Sequence, residues 1–143
     1  MAKKPVNYSM AYENTPGAAE KFAREQINGW EYYHMPELTV RGIVHGFFTR
    51  NCPSFANDDD ARSFLDVFSL DHAVTLNQEH GDTIHVVGSH DRPHTGDGIV
   101  IFKPGIAAVI KTADCLSIVL VDPAFPVAAI IHAGWRGTLK RIT

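Results

Sequence analysis

Two short apolar runs, Leu116–Val121 and Val127–Ile131, constrain the fold of this chain more than any other feature. Both are rich in β-branched residues and too short to span a membrane, which is typical of buried strands. Asp122, Pro123 and Pro126 separate them. Because proline fixes φ and lacks an amide donor, the chain must turn there or lie at a sheet edge. We therefore predict two strands, built for burial on both faces and joined by a turn.

Polar side chains stand at the ends of these two predicted strands. Asp114 and Cys115 precede the first strand, and His132 follows the second. A thiol and an imidazole held together can act as nucleophile and base, or as two ligands of one metal ion. The residues alone leave both chemistries open, and they place the candidate functional site at these strand ends.

The composition is that of an ordinary globular domain rather than of a nucleic-acid-binding or membrane protein. The 143 residues are 45% hydrophobic and 20% charged, with a formal net charge of −3, so the chain can bury a core but has no basic footprint. Polar residues follow the basic N-terminus where a signal peptide needs an apolar segment. We expect a cytoplasmic location, where Cys52 and Cys115 would be free or metal-bound thiols rather than a disulfide.

Local signals along the chain predict further elements. Helices are expected over Gly17–Gln26, after a cap at Asn57, and over Gly137–Ile142. Strands are expected over Leu38–Thr49, Ala73–Leu76, Thr83–Val87, Ile99–Phe102 and Ile106–Ile110.

Of the eight histidines, His80 and His132 stand out because each precedes a small residue at a strand-to-turn boundary. Together with Cys115 they form a candidate constellation. Their separations of 35 and 17 residues are too long for a local finger motif. Spacing alone does not show that the three side chains share a site.

Three short motifs follow one another in the second half of the chain. They are Gln78-Glu79-His80-Gly81, Thr112-Ala113-Asp114-Cys115-Leu116 and His132-Ala133-Gly134-Trp135-Arg136-Gly137. In this order they resemble the multicopper polyphenol oxidase (laccase) family, also described as a purine nucleoside phosphorylase family. The last motif is highly specific, and the resemblance covers about Leu76–Gly137. Phe48-Thr49-Arg50 is similar to a segment upstream in the same family.

The resemblance implies an α/β fold, with packed mixed β-sheets and flanking helices in a single domain over residues 1–143. It also implies that the C-terminal part of the family domain is absent here, which would leave a sheet edge exposed. We expect a second copy or another chain to cover that edge, because uncovered strands invite pairing.

The resemblance also implies roles for individual residues. The metal ligands and catalytic residues would be His80, Cys115 and His132. Substrate or phosphate would be bound by Arg50 and Arg136. The supporting residues would be Asp97 and Asp114. Two imidazoles and a thiolate with an open fourth position are typical of catalytic zinc, although the same set accepts copper. We expect zinc. From its residue type, Asp97 is expected to form hydrogen bonds with the backbone of its own loop. For Asp114 two roles stay open, a catalytic base or a carboxylate hydrogen-bonded to the following turn.

The implied activity is metal-dependent phosphorolysis of adenosine, inosine, guanosine or methylthioadenosine to a base and a pentose 1-phosphate, with adenosine deamination beside it. Three alternatives stay open: a copper polyphenol oxidase, a metal-free hydrolase with Cys115 as nucleophile, and an inactive short relative that binds a metal or a partner. Metal analysis separates the phosphorylase from the hydrolase, and turnover separates both from the inactive relative.

Overall fold

The computed structural model describes residues 22–40, 42–52, 54–55, 58–88, 95–122 and 124–143. The chain divides after Cys52 into two compact units. The predicted mixed α/β architecture, with several sheets and few helices, is confirmed. None of the helices in the described ranges combines the length and the apolar character needed to cross a membrane.

The first unit contains a small antiparallel sheet. Its elements are β1 (Ala23–Ile27), β2 (Trp30–His34), α1 (Pro36–Val40) and β3 (Phe47–Phe48). The strand order is β1-β2-β3, and both pairings are antiparallel. Tyr32, which is buried, stacks on Phe48 with ring centroids 5.0 Å apart, so aromatic packing across the strands forms the centre of this unit.

Two predictions in the first unit are wrong. The helix expected over Gly17–Gln26 gives way to strand β1 from Ala23 onward, and residues 17–21 lie outside the described part of the chain. Asn28 and Gly29 have φ angles of 51° and 80°, which is the geometry of a two-residue hairpin turn favoured by Asn-Gly. That turn pairs residues 23–27 with β2 and excludes the helix.

The strand expected over Leu38–Thr49 is also wrong in its first part, because Pro36–Val40 forms helix α1. Proline suits the first helical position, where no amide donor is needed. The amide of Leu38 donates to the carbonyl of Met35 at 3.0 Å, which closes the first turn. Only Phe47–Phe48 of the expected strand pairs as β3.

His45 makes the stability of the first unit depend on pH. Its Nε2 accepts a hydrogen bond from the Met35 amide at 2.8 Å, and its Nδ1 donates to the Ile43 carbonyl at 3.1 Å. Burial lowers the pKa of His45 below its ordinary 6.5, so the neutral ring is the folded form. Since the unfolded chain then binds the proton more readily, stability is fully present above pH 6.5 and is lost as the pH falls below it.

We therefore expect urea unfolding of wild-type protein to require less denaturant as the pH is lowered from 7.5 to 5.5. The His45→Gln variant, which cannot titrate, should lose less stability over the same interval. Equal losses in both proteins would show that His45 does not carry this pH dependence.

The second unit contains two sheets and two helices. Its elements are α2 (Asp58–Phe68), β4 (His72–Thr75), β5 (Ile84–Val87), β6 (Gly98–Ile101), β7 (Ile106–Val109), β8 (Leu116–Asp122), β9 (Val127–Ala133) and α3 (Trp135–Leu139). The predicted strands of this region are present with bounds that differ by at most two residues. The last helix begins at Trp135 rather than Gly137, because Gly134 occupies the cap position.

The strand pairing brings the two apolar runs together. β8 and β9 pair antiparallel over seven residues, from Leu116 opposite Ala133 to Asp122 opposite Val127. They belong to a four-stranded sheet of order β5-β6-β9-β8, in which β5 and β6 are parallel. β4 and β7 form a separate parallel pair. This arrangement places the start of β8 beside the end of β9.

The core of the second unit lies between these two sheets. Val87 and Ile99 are completely buried and pack with Val74 and Ile106. Burying a side chain of this size stabilises the fold by about 1.5–3 kcal/mol. On the other face, Ile142 covers Ile131 and Ala133. This core holds β6 and β9 rigidly beneath the polar residues at their ends.

β8 departs from the expectation of burial on both faces. It is the outer strand of its sheet within the described part of the chain. Leu116 and Leu120, which lie on the same face, are 64% and 52% exposed. Side chains alternate across a strand, so Ile118 lies on this face between the two leucines. It packs against the cluster of Ile131, Ala133 and Ile142, so the exposed leucines stand on either side of a packed isoleucine.

Candidate metal centre

Three side chains from separate segments converge in the second unit. His80 lies in the turn after β4, Cys115 immediately precedes β8, and His132 is in β9. Their potential ligand atoms all lie within 4.8 Å of one another. The rings of His80 and His132 are 4.7 Å apart at 74°. We call these three residues the His-Cys-His cluster.

The three residues of the cluster differ in their exposure to solvent. His132 is buried, Cys115 is half-buried and His80 is exposed. The antiparallel pairing of Leu116 with Ala133 sets Cys115 next to the end of β9, where His132 is located. A small molecule can therefore approach the cluster from the side of His80.

Asp97 is a buried carboxylate behind the cluster, only 1% exposed. Its Oδ1 accepts hydrogen bonds from the His80 amide at 2.9 Å and from His132 Nδ1 at 2.7 Å. Its Oδ2 accepts from the amides of Gly81 at 2.7 Å and Glu79 at 3.3 Å. The Asp97 side chain thus fixes both the turn that carries His80 and the ring of His132.

Asp97 also determines which nitrogen of His132 is free. Burial raises the pKa of Asp97, but the hydrogen bonds from His132 and from the backbone amides outweigh it, so the net pKa lies below its ordinary value. The carboxylate is therefore ionised and accepts the Nδ1 proton of His132. Nε2 then keeps its lone pair, as metal-binding histidines with a carboxylate partner require.

Glycines let the last segment pack closely against the His80 turn. A Cβ at Gly134 would lie 2.7 Å from Cδ2 of His80, and a Cβ at Gly137 would lie 2.3 Å from the carbonyl oxygen of Gly81. A side chain at Gly134 would require the His80 side chain to shift, and one at Gly137 would require the backbone at Gly81 to shift. Close packing therefore explains why glycine occupies both of these positions in the His-Ala-Gly-Trp-Arg-Gly motif.

The other residues predicted for the site lie outside the cluster. Arg136 is exposed in α3, and its guanidinium carbon lies 5.2 Å from the ring centre of Trp135. Asp114 is exposed next to Cys115. Arg50 is exposed after β3 in the first unit. Cys52 and Cys115 are both free thiols, as expected, and burial raises the pKa of Cys52 to about 11.

The donor set suits a transition metal ion. Imidazole nitrogen and thiolate sulfur bind zinc and copper, and three protein ligands leave a fourth position for water or substrate. The second ring nitrogen of His132 is hydrogen-bonded to a carboxylate, which is the usual support of a metal-binding histidine. These features make the cluster a candidate metal centre on an α/β scaffold.

Comparison with known proteins gives the family. The sequence model of the family described as multi-copper polyphenol oxidoreductase laccase matches residues 56–143. This chain belongs to that family, and the resemblance deduced from the motifs is confirmed.

Individual relatives carry other names. Over 76 residues the chain is 41% identical to "Purine nucleoside phosphorylase" of Deinococcus radiodurans, covering 52% of this chain and 29% of that protein. Over 128 residues it is 34% identical to "Adenosine deaminase RL5" of an unknown prokaryotic organism, covering 73% and 48%. The crystal structure of Bacillus licheniformis hypothetical protein YfiH superposes with a TM-score of 0.61 at 24% identity, over 75% of this chain and 51% of that one. The chain spans about half the length of these relatives, or less.

Proposed function

We propose that this chain carries the metal centre of a purine nucleoside phosphorylase. The observation that supports this most directly is the convergence of His80, Cys115 and His132 within 4.8 Å. Relatives named purine nucleoside phosphorylase and adenosine deaminase support the same class of substrate. The reaction joins an oxygen of phosphate to C1′ of the nucleoside, breaks the C1′–N glycosidic bond and delivers a proton to the released base.

Zinc is the metal we propose for the cluster. The described residues provide one group of three donors, whereas a multicopper centre needs ligands for several ions. Bound zinc would supply a Lewis acid and would lower the pKa of a coordinated water. The protein's own part would be to provide two imidazole nitrogens and one thiolate sulfur as ligands, with His132 oriented by Asp97.

Arg136 is the residue we propose for phosphate. Its guanidinium stacks on Trp135, and no ion pair of the described residues involves it, so its charge is available to an anion. Asp114, exposed beside Cys115, is a candidate to accept or donate the proton of the reaction. Arg50, in the first unit, stays a separate prediction for substrate binding.

The proposed activity is tested by incubating purified protein with adenosine and phosphate and separating the products by chromatography, alongside elemental analysis. Adenine that appears only with phosphate, from a zinc-containing protein, is the expected result. Inosine formed without phosphate would show deamination instead. Bound copper with phenol oxidation would favour a laccase, and a metal-free active protein would favour the cysteine hydrolase. A folded, metal-binding but inactive chain would be a non-catalytic relative.

Arg136→Ala is expected to raise the KM for phosphate by about 10- to 100-fold, because a charge-assisted hydrogen bond to an anion contributes about 1.5–3 kcal/mol. Zinc content should not change, since arginine is not a ligand. Arg141→Ala removes another exposed arginine five residues further along and serves as the control. Parallel loss of zinc and phosphate use in Arg136→Ala would indicate a folding role instead.

We also propose that the chain associates with itself or with a second chain. The exposed side chains of Leu116 and Leu120 on the outer strand β8 support this, because exposed apolar strand edges favour pairing. Light scattering on the purified protein distinguishes a monomer from an assembly.

A further inference from the structure

The side chain of Gln78 bridges two segments that are 33 residues apart. Its Nε2 donates to the carbonyl of Lys111 at 2.7 Å, and its Oε1 accepts from the amide of the same residue, also at 2.7 Å. Both polar atoms of the amide are thus paired with the backbone of one residue. This is the pattern that a strand makes with its neighbour, formed here by a side chain.

The bridge lies where two paired strands separate. The parallel pairing of β4 with β7 ends at Thr75 opposite Val109. Gln78 lies three residues after Thr75, and Lys111 lies two residues after Val109. The side chain therefore spans the gap between backbones that no longer pair directly, and it keeps the two outgoing segments together.

Those two segments lead to two members of the His-Cys-His cluster. Gln78 precedes His80 by two residues, and Lys111 precedes Cys115 by four. Cys115 is fixed on its C-terminal side by the pairing of Leu116 with Ala133. Between Lys111 and Cys115 the chain forms neither helix nor strand. The Gln78 bridge is thus the restraint at the start of the loop that carries the thiol.

The same turn is already restrained from the inside. Asp97 accepts hydrogen bonds from the amides of Glu79, His80 and Gly81. Those bonds set the turn relative to β6 and His132, but they do not reach the loop of Cys115. The side chain of Gln78 connects the turn to that loop through the backbone of Lys111.

We propose that Gln78 is a positioning residue that sets the separation of His80 and Cys115, so that the metal centre is formed before the metal binds. This inference rests on the proposed metal site. It requires one side chain that both donates and accepts, which an amide does and a carboxylate does not. It also requires the length of glutamine, since asparagine is shorter by one methylene.

The test measures the affinity of the full chain for Co²⁺ by competition with a chromophoric chelator, with amide hydrogen exchange of the metal-free protein as a second readout. Gln78→Ala is expected to weaken Co²⁺ binding about tenfold, at the lower end of effects seen for residues that orient metal ligands. Gln78→Glu, which keeps the acceptor but loses the donor, should weaken it as well. In both variants the cobalt–thiolate absorption should shift.

Lys111→Ala is the matched control, because it removes the side chain and leaves both backbone partners of Gln78 in place. It should bind Co²⁺ as tightly as the wild type. The Lys111 amide should be protected from exchange in wild type and exposed in Gln78→Ala, which shows that the bridge exists in solution whether or not the variant binds metal.

The possible outcomes distinguish the positioning role of Gln78 from the existence of the metal site. Tight binding by Gln78→Ala together with an exposed Lys111 amide would overturn the positioning role while leaving the metal site intact. A wild-type protein that binds no Co²⁺ would overturn the metal site itself and, with it, this inference. Weakened binding in Lys111→Ala equal to that in Gln78→Ala would also overturn it, since the loop would then be sensitive to any change.

Discussion

Asp97→Asn is expected to weaken metal binding about 100-fold, the upper end for a residue that orients a metal ligand. An asparagine has one oxygen where Asp97 has two, and four donors converge on that carboxylate. If the amide nitrogen faces His132, the ring must accept at Nδ1 and carry its proton on Nε2. It then cannot bind a metal through Nε2.

If the amide nitrogen instead faces Glu79 and Gly81, two backbone amides lose their acceptor. A buried donor left unpaired costs about 1–3 kcal/mol, so stability falls with either orientation. Thermal unfolding and the nitrogen chemical shifts of the His132 ring measure the two consequences separately. The control is Asp82→Asn, which changes an exposed carboxylate next to the same turn. Unchanged metal affinity and an unchanged His132 tautomer in Asp97→Asn would contradict the role of Asp97.

Cys115→Ser should abolish stable metal binding, with a loss of affinity of more than about 100-fold. The hydroxyl of serine is not deprotonated near neutral pH, so the only sulfur donor of the cluster is replaced by a weak neutral oxygen. Elemental analysis after dialysis against a chelator gives the result directly. The fold should survive, because the side chain is only half-buried and serine is of similar size.

Cys52→Ser is the matched control for this substitution. It removes the second thiol of the chain, which burial holds at a pKa of about 11 and which belongs to the first unit. We expect it to retain the metal fully. A different result would identify the thiol as a nucleophile. In that case the wild-type protein would contain no metal but would show hydrolytic activity, and the Cys115→Ser variant would have lost that activity.

The strands that form the site could be predicted from the sequence because their signals are local. β-branched runs bounded by prolines identified β8 and β9, and their bounds agree closely with the structure. The hairpin of the first unit also has a local signal, Asn28-Gly29, but the segment before it carries the helix prediction over Gly17–Gln26. Alternating and helical patterns are hard to distinguish over so few residues.

The grouping of the cluster could not be deduced from spacing, and only the resemblance to a family suggested it. The reason is that strand pairing creates the proximity. Asp97 precedes Gly98, which pairs with Ile131 in β9, so the carboxylate falls beside His132 although 35 residues separate them. The contact of Gln78 could not be predicted from the sequence either. Its partner is the backbone of Lys111, and every residue type has the same backbone groups.

At position 80 the backbone conformation favours glycine, whereas the proposed metal site needs the imidazole. His80 has a φ of 59°, a left-handed conformation that costs a residue with a side chain about 1 kcal/mol and costs glycine nothing. A change to glycine would remove that strain and the imidazole in one step. The imidazole that we propose as a metal ligand is thus held at a cost to folding stability, and its loss by this substitution should leave the protein folded.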